Sequence, residues 1–380
     1  MACVNEISKK ILYLLSEYKI KPSVLIDIFK KNNFNINKTL DFFNGNKICK
    51  LKLNLNFTES GKEETLGSYF KELLNFLLKN NIGVLNISDK KYPNILKQIY
   101  FPPPILFFKG EKITKTKFNI AVVGTRKCTS YGIGAAEYIS RELSKIGITV
   151  VSGMALGIDS YAQKAALKEK GGSIGVLGCG IDIVYPPENR HLYRDIIENG
   201  SLVSEFFPGT PPLKSNFPSR NRIISGLCNG VVVIEAARRS GAIITSEMAL
   251  RQNREVFAVP GSIFNSKASG CHWLINSGAK LVEGIDDILE EFSWYFKEYS
   301  KDDGKEKTDT CIHKNNNRNS DDIGDNCRKV YEFIGFKPRS LEEIVKFTGF
   351  EVKEVLSILA YLELKKLIEE GGSNMYKKVF

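Results

Sequence analysis

Residues 119–134 read NIAVVGTRKCTSYGIG, and the fold turns on this stretch. An apolar strand, Ile120 to Val123, runs into Gly124. A loop carrying Arg126 and Lys127 follows, and glycines then open a helix. In an α/β protein such a junction is where phosphate is gripped, because backbone N–H groups point outward and the helix N-terminus favours negative charge. Working outward, residues 119–292 alternate strand and helix. Strands are expected near 119–124, 148–152, 173–178, 201–206, 230–236, 255–259 and 279–283, with helices near 132–146, 159–170, 188–199, 220–228, 243–252 and 269–277. Continuous runs such as Val231 to Ile234 mark strands covered on both faces, as in a parallel sheet. The expected class is α/β, a Rossmann-like, doubly wound and mostly parallel sheet.

The flanks are smaller. Residues 1–45 read as a small helical module, SAM- or helix-hairpin-like. Ile7, Ile11, Leu12, Leu14 and Leu15 recur at helical spacing, and Val24, Leu25, Ile28 and Phe29 recur after Pro22. Residues 46–64 read as an irregular strand and linker, followed by a helix from Leu66 to Leu78 and strands at Gly83–Ile87 and Ile105–Phe108. The Rossmann-like domain is thus drawn over 65–292. Residues 293–324 turn polar and read as a flexible linker. Residues 325–380 have three helical segments, around Val330–Ile334, Leu341–Val345 and Val352–Leu364, with a turn at Thr348–Phe350. A closing hairpin through Ile368, Gly371, Gly372 and Tyr376 completes a winged helix-turn-helix. Its presumed recognition helix carries Glu351, Glu354 and Glu363 against Lys353, which suits a protein contact better than the major groove.

Composition, 43% apolar and 26% charged over 380 residues, is that of a soluble protein, and no apolar run is long enough for a transmembrane helix. The start, MACVNEISKK, lacks the marks of a signal peptide, so a cytoplasmic protein without membrane contact is expected. Eight cysteines are scattered without a CxxC pair, which argues against a disulfide framework or a metal site. The net charge of +11 lies mostly in a Lys-rich first third. Across 119–292 acid and base nearly balance, so the sign of local clusters decides.

Those clusters lie on loops after strands. Gly124, Arg126 and Lys127 follow the first; Gly132 and Gly134 do not complete a dinucleotide fingerprint, because Glu137 stands where the third glycine belongs. No phosphate-loop lysine motif is present either, and no cofactor is expected. Ser152 and Gly153 open a second glycine-rich loop, where Asp159 is placed as a helix cap. Cys179 lacks a neighbouring base in sequence and is not read as a nucleophile. The fourth loop, Lys214 to Arg222, holds Phe217 and the group Arg220-Asn221-Arg222, cations that grip phosphate beside an aromatic that can stack on a base. Its competing reading has Phe217 stapling the helix into the core and the arginines pairing with Glu205 or Glu235. The fifth loop adds Arg238, Arg239, Ser240 and Gly241. Within 214–254 the cations 214, 220, 222, 238, 239, 251 and 254 face only the acids 235 and 247.

The runs GTR…TSYG, SGMALGID, GCGIDIVYP, FPSRNRIISGL, VIEA…SGAIIT, VFAVPG and LINSGA, in order over about 65–292, resemble the DprA/Smf family of DNA-processing proteins. The flanking modules resemble that family's layout too. The resemblance implies a non-enzymatic protein that binds and protects incoming single-stranded DNA and helps load the RecA recombinase in natural transformation. It also implies a homodimer formed through the Rossmann-like domain. Arg126, Lys214, Phe217, Arg220, Asn221 and Arg222 are then DNA-pocket residues, with Gly124, Lys127, Ser152, Gly153, Arg238, Ser240 and Gly241 beside them. One departure is Gln163, where the family usually has histidine in the helix after GID. Two rival readings stand beside this one. Glu235, Thr245 and Glu247 near glycine loops also resemble nucleotide phosphoribohydrolases, and the winged helix could instead be the active part of an interaction scaffold.

Overall fold

The computed structural model describes residues 4–16, 21–32, 68–111, 113, 115–293, 295, 325–334, 339–365, 367–370 and 375–378. The segment expected over 46–64, all but two residues of the linker over 293–324, and Gly371 and Gly372 lie outside the described residues. The chain divides into two units, Met1–Lys297 and Glu298–Phe380.

The larger unit is built on one nine-stranded sheet. In chain order its strands are β1 (Gly83–Asn86), β2 (Ile105–Gly110), β3 (Asn119–Val123), β4 (Thr149–Ser152), β5 (Ser173–Val176), β6 (Ser201–Ser204), β7 (Gly230–Val233), β8 (Glu255–Ala258) and β9 (Lys280–Leu281). Across the sheet they run β1-β2-β6-β5-β4-β3-β7-β8-β9. From β6 to β9 every pairing is parallel; β1 and β2 close one side as antiparallel strands, with Phe107 of β2 opposite Ser204 of β6. The apolar runs explain the parallel part, because both faces of each strand are covered. Ile120 and Val122 pack with Ala136, Ile139 and Leu143 on one face, while Ala121 and Val123 join Ile223, Ile224 and Ile243 on the other. The period of two along a strand thus sorts its residues between two cores.

The helices are α1 (Glu6–Ser16), α2 (Pro22–Lys31), α3 (Ser68–Lys79), α4 (Asn94–Lys97), α5 (Ser130–Lys145), α6 (Ile158–Ala166), α7 (Arg190–Asn199), α8 (Asn216–Gly226), α9 (Gly241–Arg251), α10 (Ser269–Asn276) and α11 (Ile285–Glu291). Helices α1 and α2 share their core with the rest of the larger unit. Ile11, Leu12 and Leu14 of α1, and Leu25, Ile26 and Phe29 of α2, join Phe70, Leu77, Val84 and Phe107 in one buried cluster. Asn86 of β1 donates from Nδ2 to Ser8 Oγ at 3.0 Å. Two helices of ten or eleven residues cannot bury their apolar stripes alone, and the antiparallel edge supplies the missing surface. Among the described residues no helix is long and apolar enough to cross a membrane.

The smaller unit is a winged helix. Helices α12 (Asp325–Phe333), α13 (Leu341–Thr348) and α14 (Val352–Leu364) pack Val330, Ile344, Val355, Leu359 and Leu362 against Ile368 and Tyr376. Strands β10 (Arg339–Ser340), β11 (Ile368–Glu370) and β12 (Met375–Lys378) form an antiparallel sheet in the order β10-β12-β11. Ser340 caps α13 by a reciprocal exchange with Glu343, and Gly349 ends it with φ of 72°.

Phe107 is fully buried, and its ring lies 5.5 Å from that of Phe207. Phe107→Ala should destabilise the larger unit by about 3–5 kcal/mol, read as a lower urea midpoint.

Candidate nucleic-acid interface

The chain winds outward from β3 through β4, β5 and β6 in one direction, and then through β7, β8 and β9 in the other. The crevice of such a sheet opens beyond the carboxyl ends of the strands where the direction reverses, here β3 and β7. Glu235, just after β7, holds the loops there. Its carboxylate accepts from Thr129 N at 2.9 Å, Thr129 Oγ1 at 2.6 Å and Asn265 Nδ2 at 2.9 Å, while its carbonyl accepts from Thr125 N at 2.7 Å. Thr129 in turn caps α5, accepting from Gly132 N at 3.2 Å. At 1% exposure, with its carboxylate shared by three donors, Glu235 is a structural group and not an accessible acid–base residue.

A second buried knot lies beneath the loops after β4 and β5. Arg220, 5% exposed, donates from Nη1 to Gly153 O at 2.8 Å and to Val176 O, and from Nε to Asn221 Oδ1 at 3.2 Å. Burial lowers its guanidinium to about 10, opposed by the charge of Asp159. Asp159 does not cap α6. Its Oδ2 accepts from Gly153 N at 3.0 Å and Ala155 N at 3.4 Å, and burial raises its carboxyl against the pull of Arg220. A β-carbon on Gly153 would lie 2.8 Å from both Arg220 Nη2 and Asp159 Oδ2, which is why this position is glycine. Ser152 is buried too, donating to Val122 O at 2.7 Å.

This corrects the reading of Arg220 and Arg222 as free phosphate ligands. Helix α8 begins at Asn216, with Pro218 in its first turn, and not at Arg220. Arg220 therefore falls on the buried stripe with Ile223, Ile224 and Leu227, spaced three, four and seven residues on. Arg222 pairs through Nη2 with Glu205, as the rival reading held for that residue. Asn221 reaches Gly241 O at 3.5 Å. Gln163 is also interior, fully buried with Nε2 3.4 Å from Ile174 O, so its departure from the usual histidine does not alter the surface of the crevice.

The groups left at the surface are Arg126, Lys127, Lys214, Arg238 and Arg239, all exposed. Half-buried Phe217 is the aromatic among them. Its ring rests on Gly178, where a β-carbon would approach it to 2.8 Å, and lies 5.5 Å from the ring of Tyr185. The guanidinium carbons of Arg126 and Arg220 each stand 5.9 Å from the Phe217 ring centre. A loop and the first turn of a helix, distant in sequence, thus meet, one giving a solvent-facing cation and the other a seated aromatic. Arg238 stands 5.9 Å from the ring of Trp273. Ser240 and Gly241 open α9; the Ser240 hydroxyl is buried without a partner, and the space around Gly241 is open. Sequence reasoning missed Tyr185, whose only signal was an aromatic on a loop beyond β5, and Asn265, whose contact with Glu235 leaves no local mark.

The buried thiols are protonated at neutral pH. Burial pushes Cys179 up to about 11 and Cys271 up to about 12, and raises Cys228 well above the ordinary range. All three should resist Ellman's reagent at pH 8 in the native protein and react after denaturation, as peptide mapping can read. Rapid native labelling of Cys179 would contradict the burial described.

The sequence profile of the DNA recombination-mediator protein A family matches residues 83–293, and that of the DprA winged helix domain matches 317–372. Over 211 residues the chain is 47% identical to the DNA processing protein DprA of Streptococcus pneumoniae, covering 55% of this chain and 74% of that one. Over 214 residues it is 44% identical to its Bacillus subtilis counterpart, covering 56% and 72%. The crystal structure of the pneumococcal protein superposes with a TM-score of 0.60 at 34% identity, over 77% of this chain and 99% of that one. A structure of DNA processing protein A from Helicobacter pylori, described for its single-stranded DNA binding mode, gives 0.51 at 28% identity, over 56% and 96%.

Proposed function

This chain belongs to the DprA family of DNA recombination-mediator proteins, and from that membership we propose that it binds incoming single-stranded DNA during DNA-mediated transformation. In this reading it protects the strand in the cytoplasm, acts as a homodimer without a cofactor, and helps load the RecA recombinase. The observation that carries the reading is the meeting of Arg126 and Phe217 at the sheet's reversal point, a cation and an aromatic 5.9 Å apart. One nucleotide offers both a phosphate and a flat base, and the pair suits both. The Helicobacter pylori relative, whose structure concerns single-stranded DNA binding, supports the same ligand.

Phosphates would be held by Arg126, Lys127, Lys214 and Arg238, with amides of the Gly124 loop and the open helix start at Ser240–Gly241. A base would stack at Phe217, and Asn221 would donate beside it. Ser152, Gly153, Arg220 and Arg222 act from beneath, fixing the loops that carry these groups. Backbone gripping of this kind is tolerant of sequence. The engagement of Glu235 by three donors favours a binding protein over a phosphoribohydrolase.

We propose four functional segments: a segment at 1–45 whose helices α1 and α2 share the core of the next, the strand-binding domain at 65–292, a linker at 293–324 and a protein-contacting winged helix at 325–380. The last assignment rests on helix α14, which exposes Val352, Leu356 and Leu364 beside its glutamates.

Arg126→Ala should weaken single-stranded DNA binding at least tenfold at ~0.1 M salt and reduce the slope of log affinity against log salt by about 0.7. Titration of an oligonucleotide across a salt series measures both. Equal affinity and slope in the variant would defeat the pocket assignment.

A further inference from the structure

The loop between β8 and α10 carries two apolar side chains in water. Ile263 is 82% exposed and Phe264 is 94% exposed. Its backbone is tied down on both sides. Tyr131 Oη donates to Pro260 O at 2.7 Å, and His272 Nε2 lies 3.0 Å from Gly261 O. Asn265 N donates to Ser262 O at 3.0 Å, closing the turn that presents Ile263 and Phe264, and Asn265 Nδ2 reaches Glu235. The carboxylate that fixes the β3 loop therefore fixes this one as well.

The turn also leaves the same edge of the sheet as the cationic loops. β8 runs parallel to β7, with Ala258 beside Val233, and Gly270 N donates to Ala236 O at 2.7 Å. Exposed Arg238 and Arg239 follow directly on that contact. Phe217 rests on Gly178 beyond β5, and β5 and β8 are four strand spacings apart, about 19 Å at the sheet edge, a gap for the longer of two strands to cross. Whatever is seated on this turn also covers the exposed Arg238 and Arg239 and must supply negative charge there. A polyanion with flat bases meets the arginines and the aromatic together.

We propose that Phe264, flanked by Ile263, is a second stacking platform for single-stranded nucleic acid. It takes a base beyond the one held at Phe217, with Arg238 and Arg239 on the phosphates between. This rests on the single-strand reading above. Phe217 and Phe264 then define a path across the reversal point, and binding depends on the length of the strand.

The test uses the full chain and oligothymidylates of about 4 and about 20 nucleotides. Phe264→Ala should weaken binding of the longer oligonucleotide at least fivefold, the low end of what losing one base–aromatic stack costs, and leave the shorter one unchanged. Phe264→Trp should restore the affinity and show quenched indole emission on binding, relative to the wild type. Because the side chain is exposed, the melting temperature should not move. Unchanged binding of the longer strand by Phe264→Ala, with Arg126→Ala binding weakly, overturns the platform and leaves the pocket standing. Unchanged binding by Arg126→Ala overturns the reading on which the platform rests. A fall in oligomer mass of Phe264→Ala by sedimentation overturns it too, and assigns the turn to a contact between copies.

Discussion

The crevice depends on one buried carboxylate. Glu235 gathers the β3 loop through Thr129, the β7 loop through its own backbone, and the loop after β8 through Asn265. A buried carboxylate is costly unless its lone pairs are taken, and here hydroxyl, amide and backbone donors take them. The three loops are thereby held to one another at the carboxyl edge of the sheet. Each carries an exposed group: Arg126 on the first, Arg238 on the second, Phe264 on the third. Their spacing is set from beneath, and a ligand entering the crevice meets groups already arranged.

Much of the fold was legible because parallel strands write themselves as unbroken apolar runs. Val231 to Ile234 could be nothing but a strand covered on both faces, and the strands from Asn119 to Leu281 fall within a few residues of their expected positions. The site was legible as a set of loops but less so as a set of roles. The helix was expected from residue 220, whereas it starts at Asn216 and accepts Pro218 in its first turn. That shift of four residues moved Arg220 from a loop to the buried stripe of α8. Asp159 looked like a cap, yet it serves amides that precede its helix. The partners of Glu235 stand 106 and 30 residues away in sequence, and no local pattern announces them.

The short helices at the N-terminus show the same limit. Their apolar spacing identified them as helices, but spacing does not say what covers the stripe. The answer lay in β1 and β2, whose antiparallel pairing extends the sheet and offers Phe107 and Val84 as the facing surface. A module drawn from periodicity is a statement about local structure; the boundary of a core is a statement about contacts made at long range.

The arrangement around Phe217 explains why a charge is buried so near the crevice. Arg126 and Arg220 approach the same ring, each 5.9 Å from its centre, and the charge of Arg126 adds to burial in lowering the proton affinity of Arg220. Like charges held together are a cost kept in the unliganded protein, set partly against Asp159. On the proposed reading, an anion held at Arg126 would relieve that cost, and a neutral ligand would not. Arg220 is fixed by Gly153 O and Val176 O, and Arg126 stands exposed over the same ring. On the proposed reading, selectivity for a phosphate chain would begin in the interior, with a residue that a phosphate need not touch.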